Sequence, residues 1–424
     1  MLTPEYLQRI SDGAEDGAAE LHAEIISRII ARLIQRFEDT GEIIMTGTDK
    51  FQIEVLRDAG ALLNEIQDDI AIAAGFELAE IQAAFEDAGV ESFNYDTRMY
   101  QQAGIIEPDI EVTLANGSAI TQPPVVLTQH PAYVRLIQRN YEATAGTWRN
   151  CTRSFAGAAY DKFITECDRA YMLTATGAVS RSQAVREAVG RIAKSGVTIQ
   201  YEDAEGHVTR RDSIETATAR AVRTGVGQAC ADITDVRMEE MEWDIILTSA
   251  HIGARIGDGG QNYTNHAWWQ GRFFSRSGKD TKHPPFAVCG RGKAQGICGI
   301  NCRHSYGPGD GKNNPFDKID SKENKRVYLA TQRQRRLESR VRNTKNRLAG
   351  LKTALETTQD NETRSGLQDD FDRVSALLEK QNAAYEDFCK QNNLKRRYER
   401  MEAARWDREL SKQVRAAVKR YNEE

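Results

Sequence analysis

No apolar run in the 424 residues approaches the roughly 18 to 20 positions that a membrane-spanning helix needs, so no membrane span is expected. The first residues, Met1-Leu-Thr-Pro-Glu-Tyr6, lack the basic and apolar regions of a signal peptide. Cysteine is scarce and odd in number, seven residues unevenly spread, which argues against a secreted disulfide scaffold and for a reducing cytoplasm. Internal repeats of about 20 to 50 residues are missing. So are catalytic signatures. No Gly-Lys-Ser/Thr follows Gly253-Ala-Arg-Ile-Gly257-Asp-Gly259-Gly260 at P-loop spacing, and Ser277-Gly-Lys-Asp280 lacks the upstream glycine. There is no Gly-x-Ser-x-Gly, and Glu239-Glu240 reads as the solvated face of a helix rather than an acid/base pair. These absences point away from an enzyme.

What is present is a soluble, helix-rich composition, 40% hydrophobic and 28% charged, in a chain long enough for two or three domains. The formal net charge of −5 conceals a strong polarity. Residues 1–130 carry 7 Lys and Arg against 24 Asp and Glu, and residues 321–424 carry 25 against 17. An acidic beginning suits docking on a basic surface, and a basic end suits nucleic acid or an acidic protein. Solvated helix faces explain both equally well.

Patterning predicts an α+β fold that is mostly helical, in four regions: an acidic helical domain over 1–105, an extended connector over 106–131, a core over 132–320 and a basic helical region over 321–424. Leu21, Ile25, Ile29, Leu33 and Phe37 repeat every four positions, with Arg28, Arg32 and Arg36 on another face. Two further amphipathic stretches, 51–73 and 76–88, complete a small bundle with a glycine-bearing turn between them. Prolines 108, 123, 124 and 131 mark the connector, with a short hairpin expected around Asn116-Gly117. Helix returns from Tyr133 to Leu173, and Ser180 caps another that Gly196 ends. A hairpin is expected around 202–207, then a helix from Ser213 to Met241 and a strand over 243–248. Towards the end, Leu337, Val341, Thr344, Leu348, Leu351 and Leu355 form one heptad seam. Leu367, Phe371, Val374, Leu378, Gln381, Tyr385 and Phe388 form a second, after a turn at 361–366. Together they predict an antiparallel helical hairpin, followed by a third helix from Leu394 to Tyr421.

The block from His251 to Gly309 stands apart. Twelve of the 32 glycines lie in 251–310, and four of the seven histidines and three of the seven cysteines fall between Trp243 and His304. So many glycines exclude regular helix and predict tight loops on a small β core. Cys289, Cys298, Cys302 and His304 are the candidate metal ligands, with His251, His266 or His283 able to replace any one. Thiolate and imidazole suit tetrahedral Zn²⁺, and Cys302 and His304 would share a face if they stood on a strand. The spacing C-x8-C-x3-C-x-H lacks the paired C-x2-C of a zinc ribbon, so buried thiols and hydrogen-bonded histidines remain the alternative. A structural Zn²⁺ is the one cofactor these residues suggest. If the site instead kept an open position, a metal-dependent hydrolase or nuclease would be the competing reading. Lys395, Arg396, Arg397 and Arg400, interleaved with Tyr398, are candidates for facing DNA on a helix, although Glu399 and Glu402 offer them internal partners.

Five motifs keep their order along the chain: Ala221-Val-Arg223-Thr224-Gly, Glu239-Glu-Met-Glu-Trp-Asp244, Ser249-Ala-His251-Ile-Gly253-Ala254-Arg255, Trp269-Gln270-Gly271-Arg-Phe-Phe-Ser275 and Gly299-Ile-Asn301-Cys302-Arg303-His304-Ser305. In these the sequence closely resembles the phage minor capsid protein 2 family of tailed phages and prophages, and more distantly the Mu F-type head-morphogenesis proteins. The motifs cover roughly 220–307. Two departures stand out. Ile256 follows Arg255 where the family usually has Pro, and an insertion, 257–265, delays His266. The resemblance implies a non-enzymatic structural protein of the virion, present in few copies near the portal vertex and acting in head assembly and in DNA packaging and delivery. It would be oligomeric there, with the portal protein, the major capsid protein and packaged DNA as partners, and would pass through the host cytoplasm during assembly.

Overall fold

A computed structural model describes residues 1–39, 48–105, 110–113, 119–122, 127 and 130–423. In chain order these form α1 (Pro4–Arg9), α2 (Asp12–Asp39), α3 (Thr48–Gln102), β1 (Ile110–Thr113), β2 (Ala119–Gln122), α4 (Pro131–Ala175) and α5 (Arg181–Ser195). There follow β3 (Ile199–Glu202), β4 (Val208–Asp212), α6 (Ile214–Glu240), β5 (Ile245–Thr248), α7 (His266–Trp269), β6 (Phe273–Ser275), β7 (Tyr306–Pro308), α8 (Ser321–Thr357), α9 (Asn361–Gln391) and α10 (Arg408–Glu423). The architecture is mostly helical α+β, with three small antiparallel sheets among the described residues. No described helix is long and apolar enough to cross a membrane. The chain gathers into two compact units. One comprises 1–14, 77–149 and 218–331; the other comprises 15–76, 150–217 and 332–424.

In the second unit the four-residue stripe of α2 is the centre of the core: Leu21, Ile25, Ile29, Leu33 and Phe37 are all buried. The three arginines on the other face meet acids of α3, Arg28 with Glu65 and Asp69, Arg32 with Glu65, and Arg36 with Asp58 and Glu54. Ser180 accepts a hydrogen bond from the Gln183 amide at the start of α5, and Gly196 ends that helix at φ 59°. The two seams are buried as expected through Val341, Leu348 and Leu351 of α8 and Leu367, Phe371, Val374, Leu378 and Tyr385 of α9. Tyr385 meets Gln334 and Glu338 through its hydroxyl, and Arg333 lies over Phe388, so the early part of α8 faces the late part of α9. The pair is antiparallel.

Three expectations are corrected. The turn expected between 73 and 76 does not form, and α3 runs unbroken for 55 residues. An interior glycine such as Gly75 costs a helix only about 1 kcal/mol, and α3 carries it even though Ile72 and Phe76 beside it are exposed. The turn between the seams falls before Asn361, because Asp360 caps α9 by accepting from the Thr363 amide at 2.9 Å. The third helix begins at Arg408 rather than Leu394. Before it, Gln334 donates to the Lys395 carbonyl and Tyr385 accepts from the Arg397 amide, so side chains satisfy backbone that a helix would otherwise pair. Strands β1 and β2 pair across 114–118, but the expected turn at Asn116-Gly117 lies outside the described residues. The hairpin expected around 202–207 is β3 with β4.

In the first unit β5 is the middle strand, flanked by β6 and β7 in the order β6-β5-β7. Ile246, Phe274 and Tyr306 from these strands pack with Ala231 and Met238 of α6 and with Trp269, Phe286, Cys289, Ile297 and Cys298. This apolar cluster carries the glycine-rich loops.

Candidate metal centre

Two segments meet above that sheet. Beyond β5, Asn324 grips the turn at Gly253 and Ala254: its Oδ1 accepts from both amides and its Nδ2 donates to the Ala254 carbonyl. The single turn of α7 then presents His266, and Trp269 anchors it by donating Nε1–H to the Tyr263 carbonyl. The other segment, 290–305, is folded tightly enough that glycine is obligatory. A Cβ on Gly296 would stand 2.0 Å from the Gly290 carbonyl oxygen, and one on Gly299 would stand 2.5 Å from that of Ala294. Cys298 (φ 56°) and Asn301 (φ 55°) adopt the left-handed conformation, unusual outside glycine, and so turn the chain back towards His266. Cys302 and His304 follow just ahead of β7, outside any strand.

The result is a convergence of His266, Cys302 and His304, whose ligand atoms all lie within 4.8 Å of one another and could hold a metal ion. The two Nδ1 atoms are 3.3 Å apart, and each stands 3.7 Å from Cys302 Sγ. The opposite ring nitrogens are committed. His266 Nε2 donates to the Gln295 carbonyl at 2.8 Å, and His304 Nε2 donates to Gln270 Oε1 at 3.0 Å. Gln270 Oε1 also accepts from the His251 amide, which fixes that atom as the oxygen. Both rings therefore turn a lone pair towards the sulfur. All three side chains are buried, at 2%, 5% and 1% exposure in chain order. Burial pushes the His266 imidazole down to about 4 and that of His304 well below its usual value, which holds both rings neutral. Burial also raises the Cys302 thiol, with the His304 amide opposing that by donating to the sulfur at 3.4 Å.

Of the candidates read from the sequence, Cys302 and His304 join the group and His266 completes it. Cys298 does not; its thiol donates to the His304 carbonyl at 3.6 Å. Cys289 packs in the apolar cluster. His251 stacks on the His304 ring at 4.5 Å and is hydrogen-bonded to its neighbour's carbonyl, and His283 pairs with Asp280. Sequence reasoning missed the clamp behind the loop. Arg291 reaches Asp232 and Asp235 of α6, and Tyr306 donates to Asp235 at 2.5 Å. Asp232 and Asp235 sit three apart on a helix, but nothing local names their partners.

The ordered motifs turn out to be neighbours here. Arg223 donates to the Leu7 carbonyl, Ser11 and Asn301; Thr224 accepts from the Asn301 amide; Arg255 donates to the Ile300 carbonyl; and Arg303 reaches Gln8. Gly271 holds φ 62°, and Ser275 donates to Asp244. Over residues 2–388 the chain matches the family described as Phage minor capsid protein 2. The chain belongs to that family. The match spans parts of both compact units and the whole candidate centre, and ends before α10. Comparison with curated proteins and with solved structures finds no match. Membership makes this a structural protein of a phage capsid, and the virion its place.

Proposed function

We propose that this minor capsid protein is a low-copy component of the phage head at the portal vertex, where it serves head assembly and the packaging and delivery of DNA. The observation that carries this reading is the family match across 2–388. The charge polarity supports it: the acidic first 130 residues suit a basic face of the portal or major capsid protein, and the basic end suits DNA. In this reading the chain is not an enzyme, and it visits the host cytoplasm only during assembly. The His/Cys group, buried on all sides, fits a structural role better than a substrate-exposed one.

The test is quantitative mass spectrometry of purified particles, before and after DNA ejection, with copies scaled to the portal protein. Low-copy presence in filled heads is expected, and loss on ejection would identify a delivered protein. Absence from particles, or a copy number matching the major capsid protein, would overturn the reading.

A further inference from the structure

We infer that His266 Nδ1, Cys302 Sγ and His304 Nδ1 bind one Zn²⁺ ion as a buried three-ligand centre that staples α7 to the chain ahead of β7. This goes beyond the capsid role and does not depend on it. Taking Zn–N of 2.0 to 2.1 Å, Zn–S of 2.3 Å and tetrahedral angles, the edges of such a site are about 3.4 Å between nitrogens and about 3.6 Å from nitrogen to sulfur. The observed edges are 3.3 Å and, twice, 3.7 Å. The three atoms already stand at corners of a zinc tetrahedron.

The surroundings agree with that geometry. A metal-bound histidine typically donates its other ring N–H to a carbonyl or carboxylate, and here both do, to the Gln295 carbonyl and the Gln270 amide oxygen. The backbone amide of His304 donates to the sulfur, as it would to a thiolate. Two imidazoles and one thiolate select a borderline-soft ion, whereas Mg²⁺ and Ca²⁺ require oxygen ligands. Binding releases the thiol proton to solvent and leaves Zn–S and two Zn–N bonds. No fourth His, Cys, Asp or Glu joins the group among the described residues.

The experiment is metal analysis of the full-length protein purified without chelators, alongside Cys302→Ala and, as a control remote in sequence, Cys389→Ala. Wild type and the control should carry about one zinc per chain, and Cys302→Ala at least about tenfold less. A second measurement needs no variant. Wild type stripped of metal and titrated with Co²⁺ should develop a thiolate-to-cobalt charge-transfer band with intense tetrahedral d–d transitions, saturating at one equivalent. Wild type that takes up neither ion, a cobalt complex without the thiolate band, copper found in place of zinc, or full zinc retention by a folded Cys302→Ala would each overturn the inference. Should Cys302→Ala fail to fold, the cobalt spectrum decides alone.

Discussion

The Nδ1 atoms of His266 and His304 face each other at 3.3 Å, each with its opposite nitrogen already hydrogen-bonded. Two lone pairs cannot bond to one another, and the one thiol proton of Cys302 can serve only one of them. The group is thus one donor short in the absence of a cation. Buried, unmatched acceptors typically cost about 1 to 3 kcal/mol, so the folded loop holds an arrangement that a metal would relieve.

Gln270 holds that arrangement, because its one oxygen accepts from both the His251 amide and His304 Nε2. Gln270→Leu strands two donors, one of them on a buried ring, and should destabilise the protein by about 2 to 4 kcal/mol in urea unfolding. It should also weaken metal binding by about 10- to 100-fold in chelator competition, since His304 loses the bond that orients it. Unchanged stability together with unchanged metal affinity would show that the ring is held by something else.

Glycine chemistry offers a paired test. Gly296→Ala would drive a Cβ into the Gly290 backbone carbonyl, and no side-chain rotation can relieve that. A loss of about 3 kcal/mol or more is expected, read from the urea midpoint. Gly227→Ala lies in α6 with open space around the new methyl. It should raise stability by about 0.4 to 1 kcal/mol through helix propensity and a less flexible unfolded chain. Equal effects from the two would refute the steric account.

These contrasts also show what the sequence can disclose. The stripe from Leu21 to Phe37 is a local, periodic signal, and its burial followed from spacing alone. So did the caps at Ser180 and Gly196, where one residue type answers one backbone requirement. The length of α3 was not legible, because a lone glycine can end a helix or be carried inside one, and local spacing does not decide between them. The same holds for 394–407, where Tyr385 and Gln334, distant in sequence, supply the backbone's hydrogen bonds. At the metal group, Cys302 and His304 could be named from their chemistry. Choosing His266 over Cys289 and Cys298 required the left-handed turns at Cys298 and Asn301, which no propensity for cysteine or asparagine announces.

A pH signature resides in the second unit, where His22 Nδ1 and Glu215 Oε2 stand 3.0 Å apart and both are largely buried. Burial alone would raise the Glu215 carboxyl, but the facing imidazole and a hydrogen bond from Ser213 outweigh it and bring the carboxyl down to about 2. A carboxylate held below its usual 4.5 adds stability that is fully present above that pH. The contribution is lost as pH falls from 4.5 through about 2. At about 1.4 kcal/mol per pKa unit, this amounts to roughly 3 to 4 kcal/mol. Glu215→Gln should therefore unfold at lower denaturant than wild type at pH 6, with the gap closing towards pH 2. A gap that persists at pH 2 would assign the loss to packing rather than to charge.

The basic end is the place to test contact with DNA, and the structure dictates how. Val341, Leu348, Leu351, Leu378, Leu410 and Val414 belong to the same buried core as Leu21 and Ile25, so deleting the C-terminal region would strip away part of that core. Substitution is the cleaner instrument. Lys395 and Arg396 are exposed between α9 and α10, Arg396 donating to the Tyr398 hydroxyl at 3.2 Å, whereas Arg397 forms an ion pair with Glu399 and Arg400 with Glu338. Lys395→Glu with Arg396→Glu should leave the melting temperature unchanged, since neither side chain is buried. If the two lysine and arginine charges meet phosphates, the slope of log affinity against log salt should become shallower by about 2 on a duplex probe, because each lost phosphate contact removes about 0.9. The same double variant in assembled particles should package less DNA per head. An unchanged salt slope would exclude this stretch as the DNA-facing surface and shift attention to the acidic end, whose partner would be protein.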